Sequence, residues 1–323
     1  MENLVRLGTH IRTELSKVIV GQREVIDQLL IVLVCGGHAL LEGVPGLAKT
    51  LTVKTLARIC GLGFQRVQCT ADLMPADVIG TNVFNLATSS FSLHRGPIFT
   101  DLLLVDEINR TTARTQAALL EAMEERQVTV FGTTYLLEPP FLVLATQNPI
   151  ELEGTYPLPE AQMDRFLFKV VIGAPKPDEL REILNRTTGA MTYHPQSIFE
   201  PRHAPAKIEE LKLLVREVMV AEPLERYIIS IIGAVTPGGP GALPDVSQYL
   251  RFGPSPRGAQ ALILCAKVNA LLDGRASVSY DDVNDAIVPS LRHRLLRNFQ
   301  AEAENVAPES ILEQALKRLK RSS

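Results

Sequence analysis

The sequence predicts an α/β fold in which a five-stranded parallel β-sheet is flanked by helices and followed by a smaller, all-helical domain. Three observations support this prediction. Five segments with strand character alternate with segments of helical periodicity, as in a doubly wound sheet. A glycine-containing loop joins the first of these strands to a helix. No strand pattern follows residue 172, whereas apolar residues keep a helical spacing almost to the end of the chain.

Apolar runs and alternating patterns define the strands of the predicted sheet. The first strand ends at Glu42, and the others are predicted at residues 64–69, 102–106, 141–145 and 166–172. The third and fourth strands are almost continuously apolar, which is typical of strands buried on both faces of a parallel sheet. Helical spacing predicts the accompanying helices at residues 3–18, 23–35, 51–59, 112–126 and 178–186.

Two further segments interrupt this alternation. Residues 128–137 alternate around Gly132 and predict a β-hairpin. Residues 72–97 show neither period, and we expect irregular structure there. Both segments have the alternative interpretation of ordinary surface loops.

The second half of the chain predicts helices alone. A polar, proline-containing stretch at residues 189–205 has the character of a linker, and residues 237–256 form a loop rich in proline and glycine. The predicted helices are 206–220, 222–236, 258–272, 280–296 and 309–321. We therefore expect an α/β domain at residues 1–189, including the N-terminal helices, and a helical domain at residues 190–323.

Composition narrows the possible functions. The chain has 323 residues, of which 46% are hydrophobic, and its formal net charge is −3, so general binding to nucleic acid or acidic lipid is not expected. Four scattered cysteines lack zinc-site spacing and suggest free thiols in a reducing compartment. The longest apolar run, residues 29–35, is too short to span a bilayer, and no signal peptide is apparent. We expect a cytoplasmic protein without membrane insertion.

The most informative motif lies between the first strand and its helix and reads Gly43-Val44-Pro45-Gly46-Leu47-Ala48-Lys49-Thr50. Backbone N–H groups in such a loop, together with the helix dipole, suit a phosphate. Lys49 would reach the outer phosphates, and the Thr50 hydroxyl would ligate Mg²⁺. Ala48 replaces the usual second glycine, and its Cβ makes a positive φ unfavourable by about 1 kcal/mol. We therefore expect Gly46 to provide the positive φ that such a loop needs. The alternative is a Gly/Pro turn with an incidental lysine.

A second motif consists of two acids at the end of the strand 102–106. Ligands of open α/β sheets bind at the carboxyl ends of strands, so Asp106 should emerge beside the glycine-containing loop. Asp106 would hold Mg²⁺ directly or through water, and Glu107 would orient or polarise an attacking water. The alternative is a strand that ends in a helix-capping acid.

Together, these and other segments resemble the AAA+ ATPases, and specifically the MoxR family, over nearly the whole chain. The segments that carry the resemblance are Val20-Gly21-Gln22, the loop 43–50, Val105-Asp106-Glu107-Ile108-Asn109-Arg110, residues 116–123, Ala145-Thr146-Gln147-Asn148-Pro149, residues 160–166 and Ser255-Pro256-Arg257. The family loop also has alanine at the position of Ala48. The resemblance implies that the strand 141–145 lies between the first strand and the strand 102–106.

The resemblance also implies roles that the residue pattern does not give by itself. Asn148 matches sensor 1, Arg165 matches the arginine finger that reaches a neighbouring subunit, and Arg257 matches sensor 2. The alternative for Asn148 is a polar cap, that for Arg165 is a helix C-terminal cap or an ion pair with Asp164, and that for Arg257 is an exposed surface arginine. Residues 72–97 and 128–137 resemble an insert in helix 2 and a hairpin that face the central pore of ring assemblies. The implied ATP-binding residues are Val20, Gly21, Gln22, Gly43, Val44, Pro45, Gly46, Leu47, Ala48, Lys49, Thr50 and Leu51.

The implied function is Mg²⁺-dependent ATP hydrolysis by a ring-forming homo-oligomer, expected to be a hexamer. In this family, such an ATPase acts as a chaperone-like remodeller of client proteins, or in metal-cofactor insertion and complex assembly, with von Willebrand factor A-domain partners. Two alternatives remain open. One is a motor subunit similar to that of magnesium chelatase. The other is a nucleotide-dependent interaction protein that hydrolyses little ATP.

Overall fold

The computed structural model describes residues 2–86, 89–150, 154–189, 193–239 and 241–322. The helices are α1 (Glu2–Ser16), α2 (Arg23–Cys35), α3 (Lys49–Cys60), α4 (Pro75–Ile79), α5 (Ala113–Glu125), α6 (Glu160–Met163), α7 (Pro177–Thr188), α8 (Ala204–Glu217), α9 (Glu222–Ala234), α10 (Pro244–Tyr249), α11 (Pro256–Leu272), α12 (Tyr280–Leu291), α13 (Phe299–Ala303) and α14 (Pro308–Ser322). The strands are β1 (Ala39–Glu42), β2 (Phe64–Gln68), β3 (Gly80–Asn85), β4 (Ser90–Arg95), β5 (Leu102–Asp106), β6 (Gln127–Val130), β7 (Thr133–Leu136), β8 (Leu142–Gln147), β9 (Phe168–Val171), β10 (Leu250–Phe252) and β11 (Leu296–Arg297).

Five strands form one parallel sheet in the order β2-β5-β8-β1-β9, which confirms the predicted fold class. Strand β8 lies between β1 and β5, as the family resemblance implied. All residues of β5 and all but the last of β8 are buried. This burial on both faces explains why these strands have continuously apolar sequences rather than alternating ones.

Two antiparallel hairpins stand apart from this sheet. The hairpin β6–β7 confirms the prediction for residues 128–137. The expectation of irregular structure at residues 72–97 was wrong, because α4 and the hairpin β3–β4 occupy most of that segment. None of the residues described in β4 is buried. Without a buried face, a strand has no reason to alternate apolar and polar residues, so the period-2 signal is absent.

The second half of the chain contains helices α8 to α14, in agreement with the helical prediction. Two features there were not predicted. The loop at residues 237–256 contains the short helix α10, and strand β10 pairs with β11 in a two-stranded antiparallel ladder. The helix predicted at residues 280–296 is shorter in the structure, since α12 ends at Leu291 and residues 296 and 297 form β11.

The contacts between Cα atoms divide the chain into two compact units. The sheet unit comprises Leu7–Leu158 and Val170–Glu210, and the helical unit comprises Met1–Arg6, Pro159–Lys169 and Leu211–Ser323. The predicted domain division after residue 189 stays a prediction. Among the described residues, no helix combines the length and the apolar character needed to cross a bilayer.

Candidate active site

The candidate site lies where three neighbouring strands of the sheet unit end. Because β8 pairs in parallel with both β1 and β5, the carboxyl ends of all three strands meet at one edge. The loop at residues 43–50 leaves β1, the acids Asp106 and Glu107 lie at the end of β5, and Asn148 follows β8. The structure thus brings together the loop and the side chains that the sequence singled out on separate segments.

The glycine-containing loop is closed by its own lysine. The Lys49 ammonium donates to the carbonyl oxygens of Gly43 and Val44, the second at 3.4 Å, so a positive charge lies within the curve of the loop. Gly43 has no room for a side chain, since a Cβ there would lie 2.8 Å from the Ile172 carbonyl oxygen. Lys49 is also the first residue of α3, so the helix N-terminus opens at the same place.

Two residues of this loop adopt left-handed backbone conformations. Gly46, which was predicted to provide the left-handed conformation that the loop needs, has a φ of +85°. Ala48 also has a positive φ, of 59°, and forms the N-cap of α3. This conformation is sterically unfavourable for a residue that has a Cβ, whereas glycine adopts it readily. The loop therefore stores strain at Ala48.

Replacing Ala48 with glycine should release this strain. We expect Ala48→Gly to stabilise the protein by up to about 1 kcal/mol, which corresponds to a rise in melting temperature of about 2 °C. Differential scanning calorimetry would measure the shift. The matched control is Ala117→Gly at an exposed position within α5, where the same change should destabilise the helix by about 1 kcal/mol. A decrease for both variants would show that Ala48 is not strained.

Thr50 and Asp106 connect the loop to the acid pair. The Thr50 hydroxyl donates to Asp106 Oδ2 at 3.2 Å. Hydroxyl and carboxylate oxygens are hard ligands of the kind that Mg²⁺ takes beside nucleotide phosphates. The hydrogen bond between Thr50 and Asp106 shows that their oxygens are adjacent. This geometry fits the predicted magnesium site, in which these two residues would hold the ion.

The Asp106 carboxylate is also held by residues on both neighbouring strands. The Thr146 hydroxyl on β8 donates to Oδ1 at 2.6 Å, and Arg66 on β2 donates to Oδ2 through Nη2 at 2.7 Å and Nε at 3.1 Å. Burial by itself would raise the pKa of this carboxyl group. The hydrogen bonds from Thr146, Arg66 and Thr50 and the positive charge of Arg66 outweigh the burial, so the net pKa lies below its ordinary value.

Glu107 has an unusual backbone conformation for a glutamate, with φ of 58° and ψ of 53°. Its N–H donates to the Thr146 hydroxyl at 2.8 Å, and its Oε2 accepts from Gln68 Nε2 at 3.0 Å. Arg110 lies 3.4 Å from the same carboxylate. Strained, well-supported residues of this kind concentrate at functional sites, because the surrounding contacts hold the side chain in one direction.

Sequence reasoning missed three side chains at this site: Arg66, Gln68 and Thr146. Arg66 and Gln68 lie on β2, whose register places Gln68 opposite Asp106. Polar residues at the end of a strand that neighbours the acid pair would have been a usable signal, once the strand order was considered. Thr146 appeared only within a quoted motif, although it is a fully buried polar residue that follows an apolar run.

The remaining predicted residues of the sheet unit lie on segments beside the loop. Asn148 is 4% exposed, and its Oδ1 accepts from the Ile150 N–H at 3.2 Å. Gln22 donates through Nε2 to the Leu47 carbonyl oxygen at 3.3 Å, so the segment 20–22 touches the loop. Gln22 Oε1 is buried and has no hydrogen-bond partner among the described residues.

The two predicted arginines belong to the helical unit. Arg165 and Arg257 line one cavity of about 520 Å³, together with Asp164, Ser255 and His293. Arg257 is the second residue of α11, whose N-cap Ser255 accepts from the Arg257 N–H at 3.1 Å. The structure therefore places the predicted finger and the predicted sensor 2 around a common space within this unit.

The sequence is similar to those of known nucleotide-binding proteins. Residues 38–168 match the ATPase family associated with various cellular activities (AAA), and residues 244–315 match the AAA lid domain. The chaperone MoxR1 of Mycobacterium tuberculosis is 42% identical over 303 residues, which cover 94% of this chain and 79% of that protein. The chain belongs to the MoxR family of AAA+ ATPases.

Two further similarities agree with the MoxR assignment. The protein MoxR of Paracoccus denitrificans is 32% identical over 313 residues, which cover 91% of this chain and 90% of that protein. A solved structure of a protein from Cytophaga hutchinsonii, assigned as an ATPase, has a TM-score of 0.86 at 40% identity. That similarity covers 98% of this chain and 96% of the other. The match over both units makes this a MoxR-type protein throughout, rather than an isolated nucleotide-binding domain.

Proposed function

We propose that this MoxR-family protein hydrolyses ATP to ADP and phosphate with Mg²⁺ as cofactor, at the edge where β1, β5 and β8 end. The observation that carries the proposal is the 3.2 Å contact between the Thr50 hydroxyl and Asp106 Oδ2. Through this contact, a loop suited to phosphates lies against a carboxylate suited to a divalent cation. A turn with an incidental lysine would give no reason for this juxtaposition.

Each residue has a distinct role in the proposed reaction. Backbone N–H groups of the loop and the Lys49 ammonium hold the β- and γ-phosphates, while Thr50 and Asp106 hold the cation. Bound Mg²⁺ neutralises charge on the phosphate oxygens. Glu107 polarises the water that attacks the γ-phosphate, and Asn148 positions that water. The segment 20–22 borders the adenine.

Completion of the site requires a second subunit in this proposal. Arg165 reaches the nucleotide of a neighbouring protomer and stabilises the charge that develops during phosphoryl transfer. Arg257 senses the γ-phosphate from the helical region. The working form is then a homo-oligomeric ring, and we propose a hexamer.

The proposed biological role is chaperone-like remodelling of a client protein, including metal-cofactor insertion or complex assembly. A relative with 42% identity is named a chaperone, which supports the coarse role. A partner with a von Willebrand factor A domain, a cytoplasmic location and a domain division after residue 189 stay predictions from the sequence.

A ligand-induced shift in stability tests nucleotide binding directly. A ligand at 100 times its Kd stabilises the folded state by about 2.7 kcal/mol, so MgATP should raise the melting temperature of the parent protein. Lys49→Ala should lose this rise. Lys54→Ala, at an exposed position on the same helix α3, is the matched control and should keep it. An equal shift in all three proteins would contradict nucleotide binding at this loop.

Turnover measured against protein concentration separates the proposal from a weakly hydrolysing interaction protein. A site completed by a neighbour gives a specific activity that rises with protein concentration until rings form. An activity per subunit that stays constant from the nanomolar to the micromolar range would favour a self-contained site. Dependence of turnover on a chelatase partner and a porphyrin would favour the magnesium chelatase alternative.

A further inference from the structure

A buried arginine in the helical unit holds the segment that carries Arg165. The side chain of Arg294, which follows α12, is 3% exposed. Its Nε donates to Asp164 Oδ1 at 2.7 Å, and its Nη2 donates to the carbonyl oxygens of Asp164 and Phe166 at 3.0 Å and 2.9 Å. Its Nη1 donates to the Leu167 carbonyl oxygen at 3.2 Å and to the Ser290 carbonyl oxygen.

These contacts use the full capacity of the side chain. A guanidinium has five N–H donors in a rigid, planar fork, and Arg294 makes five hydrogen bonds. Four of them end on residues 164–167, the turn that contains Arg165. A buried charge that lost these partners would be costly, so the turn and the arginine fix each other in one geometry.

The same network reaches the start of the helix that carries Arg257. Asp164 Oδ2 accepts from the Ser255 hydroxyl at 2.7 Å, and Ser255 is the N-cap of α11. A Cβ at Gly258, in the first turn of α11, would lie 2.8 Å from Pro254 Cβ and 3.3 Å from Arg294 Cδ, so the glycine permits close packing of α11 that includes Arg294. The Asp164 carboxylate therefore joins Arg294 to the segment that presents Arg257.

We propose that Arg294 is a positioning residue for Arg165, acting through the backbone of residues 164–167 and through Asp164. The inference rests on the proposed role of Arg165 as the finger. Arg294 does not touch the nucleotide. It fixes the direction in which the finger leaves its turn, and the Asp164–Ser255 hydrogen bond keeps the finger in register with Arg257.

The first test is the turnover of Arg294→Met. Small misplacements of a catalytic group can cost about 100-fold in rate, so we expect kcat to fall by 10- to 100-fold while KM for ATP stays within about twofold. Arg275→Met is the matched control, because it breaks another arginine–carboxylate pair of the same unit, with Asp282 at 2.6 Å. This control should lose stability and keep the parent's kcat. Equal losses of kcat in both variants would overturn the inference.

Arg294→Lys keeps the positive charge, and it tests whether Arg294 positions Arg165 if Arg294→Met does not fold. A single ammonium cannot reproduce the planar fork on four carbonyl oxygens and a carboxylate. Its kcat should still fall at least tenfold, and a kcat equal to the parent's would overturn the inference.

The second test uses mixed assemblies. Arg294→Met subunits keep their own loop, and Lys49→Ala subunits keep a well-placed finger, so turnover of the mixture should exceed the sum of the two impaired proteins measured separately. A general folding defect in the Arg294 variant would not be rescued by a neighbour. If Arg165→Ala is rescued in this way but Arg294→Met is not, the inference about Arg294 fails alone. If Arg165→Ala turns over ATP at the parent's rate, the proposed finger itself fails.

Discussion

Replacing Glu107 with glutamine should leave ATP binding intact and reduce turnover by about 10²- to 10⁴-fold, the usual contribution of a general base. Glutamine has nearly the same shape as glutamate but cannot accept a proton from the attacking water. The Glu107 N–H bonds to Thr146 through the backbone, so the substitution does not remove this contact. Steady-state phosphate release and equilibrium binding of a fluorescent ATP analogue would measure the two quantities separately.

The matched control for this variant is Glu121→Gln, at an exposed position on α5. It should hydrolyse ATP at the parent's rate. Turnover by Glu107→Gln at the parent's rate would remove Glu107 from the mechanism. A variant that binds without hydrolysing also serves as a trap, and co-purification with it under ATP would identify client proteins.

Replacing Arg165 with alanine should reduce turnover by about 10³- to 10⁵-fold, the range found for arginine fingers in other nucleotide hydrolases. The loss arises because developing charge on the γ-phosphate would no longer meet a guanidinium from the next protomer. ATP binding should persist, since the residues proposed to grip the phosphates belong to the loop at 43–50. Turnover and binding would be measured as for Glu107→Gln.

Mixing distinguishes a finger that acts between subunits from one that acts within its own subunit. Arg165→Ala and Lys49→Ala are each expected to be inactive, and mixed assemblies should regain part of the parent's activity. Absence of any regain, in subunits shown to exchange, would argue against action between subunits. Arg226→Ala is the control, because Arg226 lies in the same unit, is 71% exposed and pairs with Glu222.

The sheet was predictable from the sequence because burial imposes a pattern. Strands β5 and β8 are buried along nearly their whole length, so their apolar runs identified them. The position of β8 between β1 and β5 came from the family resemblance rather than from the pattern. The hairpin β3–β4 could not be found in this way, since the exposed side chains Phe84 and Phe91 pack on each other and not on a core, with ring centroids 5.0 Å apart.

The chemistry of the site was only partly predictable. The loop and the acid pair are local motifs, so their residues were found. The contacts of Asp106 with Arg66 and Thr146 each span 40 residues and depend on strand order and register. The contact of Arg294 with Asp164 spans 130 residues. Such contacts join residues that are distant in sequence, so no local sequence pattern predicts them.

The hydrogen bonds that Asp106 accepts, from Thr146 first and then from Arg66, have a consequence for the response to acid. Because the folded protein lowers the pKa of this carboxyl group, the stabilisation that its ionised form contributes is complete above the pKa of the unfolded chain, about 3.8. It disappears only as the solution is acidified through the still lower value in the native state. Asp106 therefore keeps its negative charge throughout the neutral range, and we expect protonation of this carboxylate to cause no decline of the proposed turnover between pH 7 and 5.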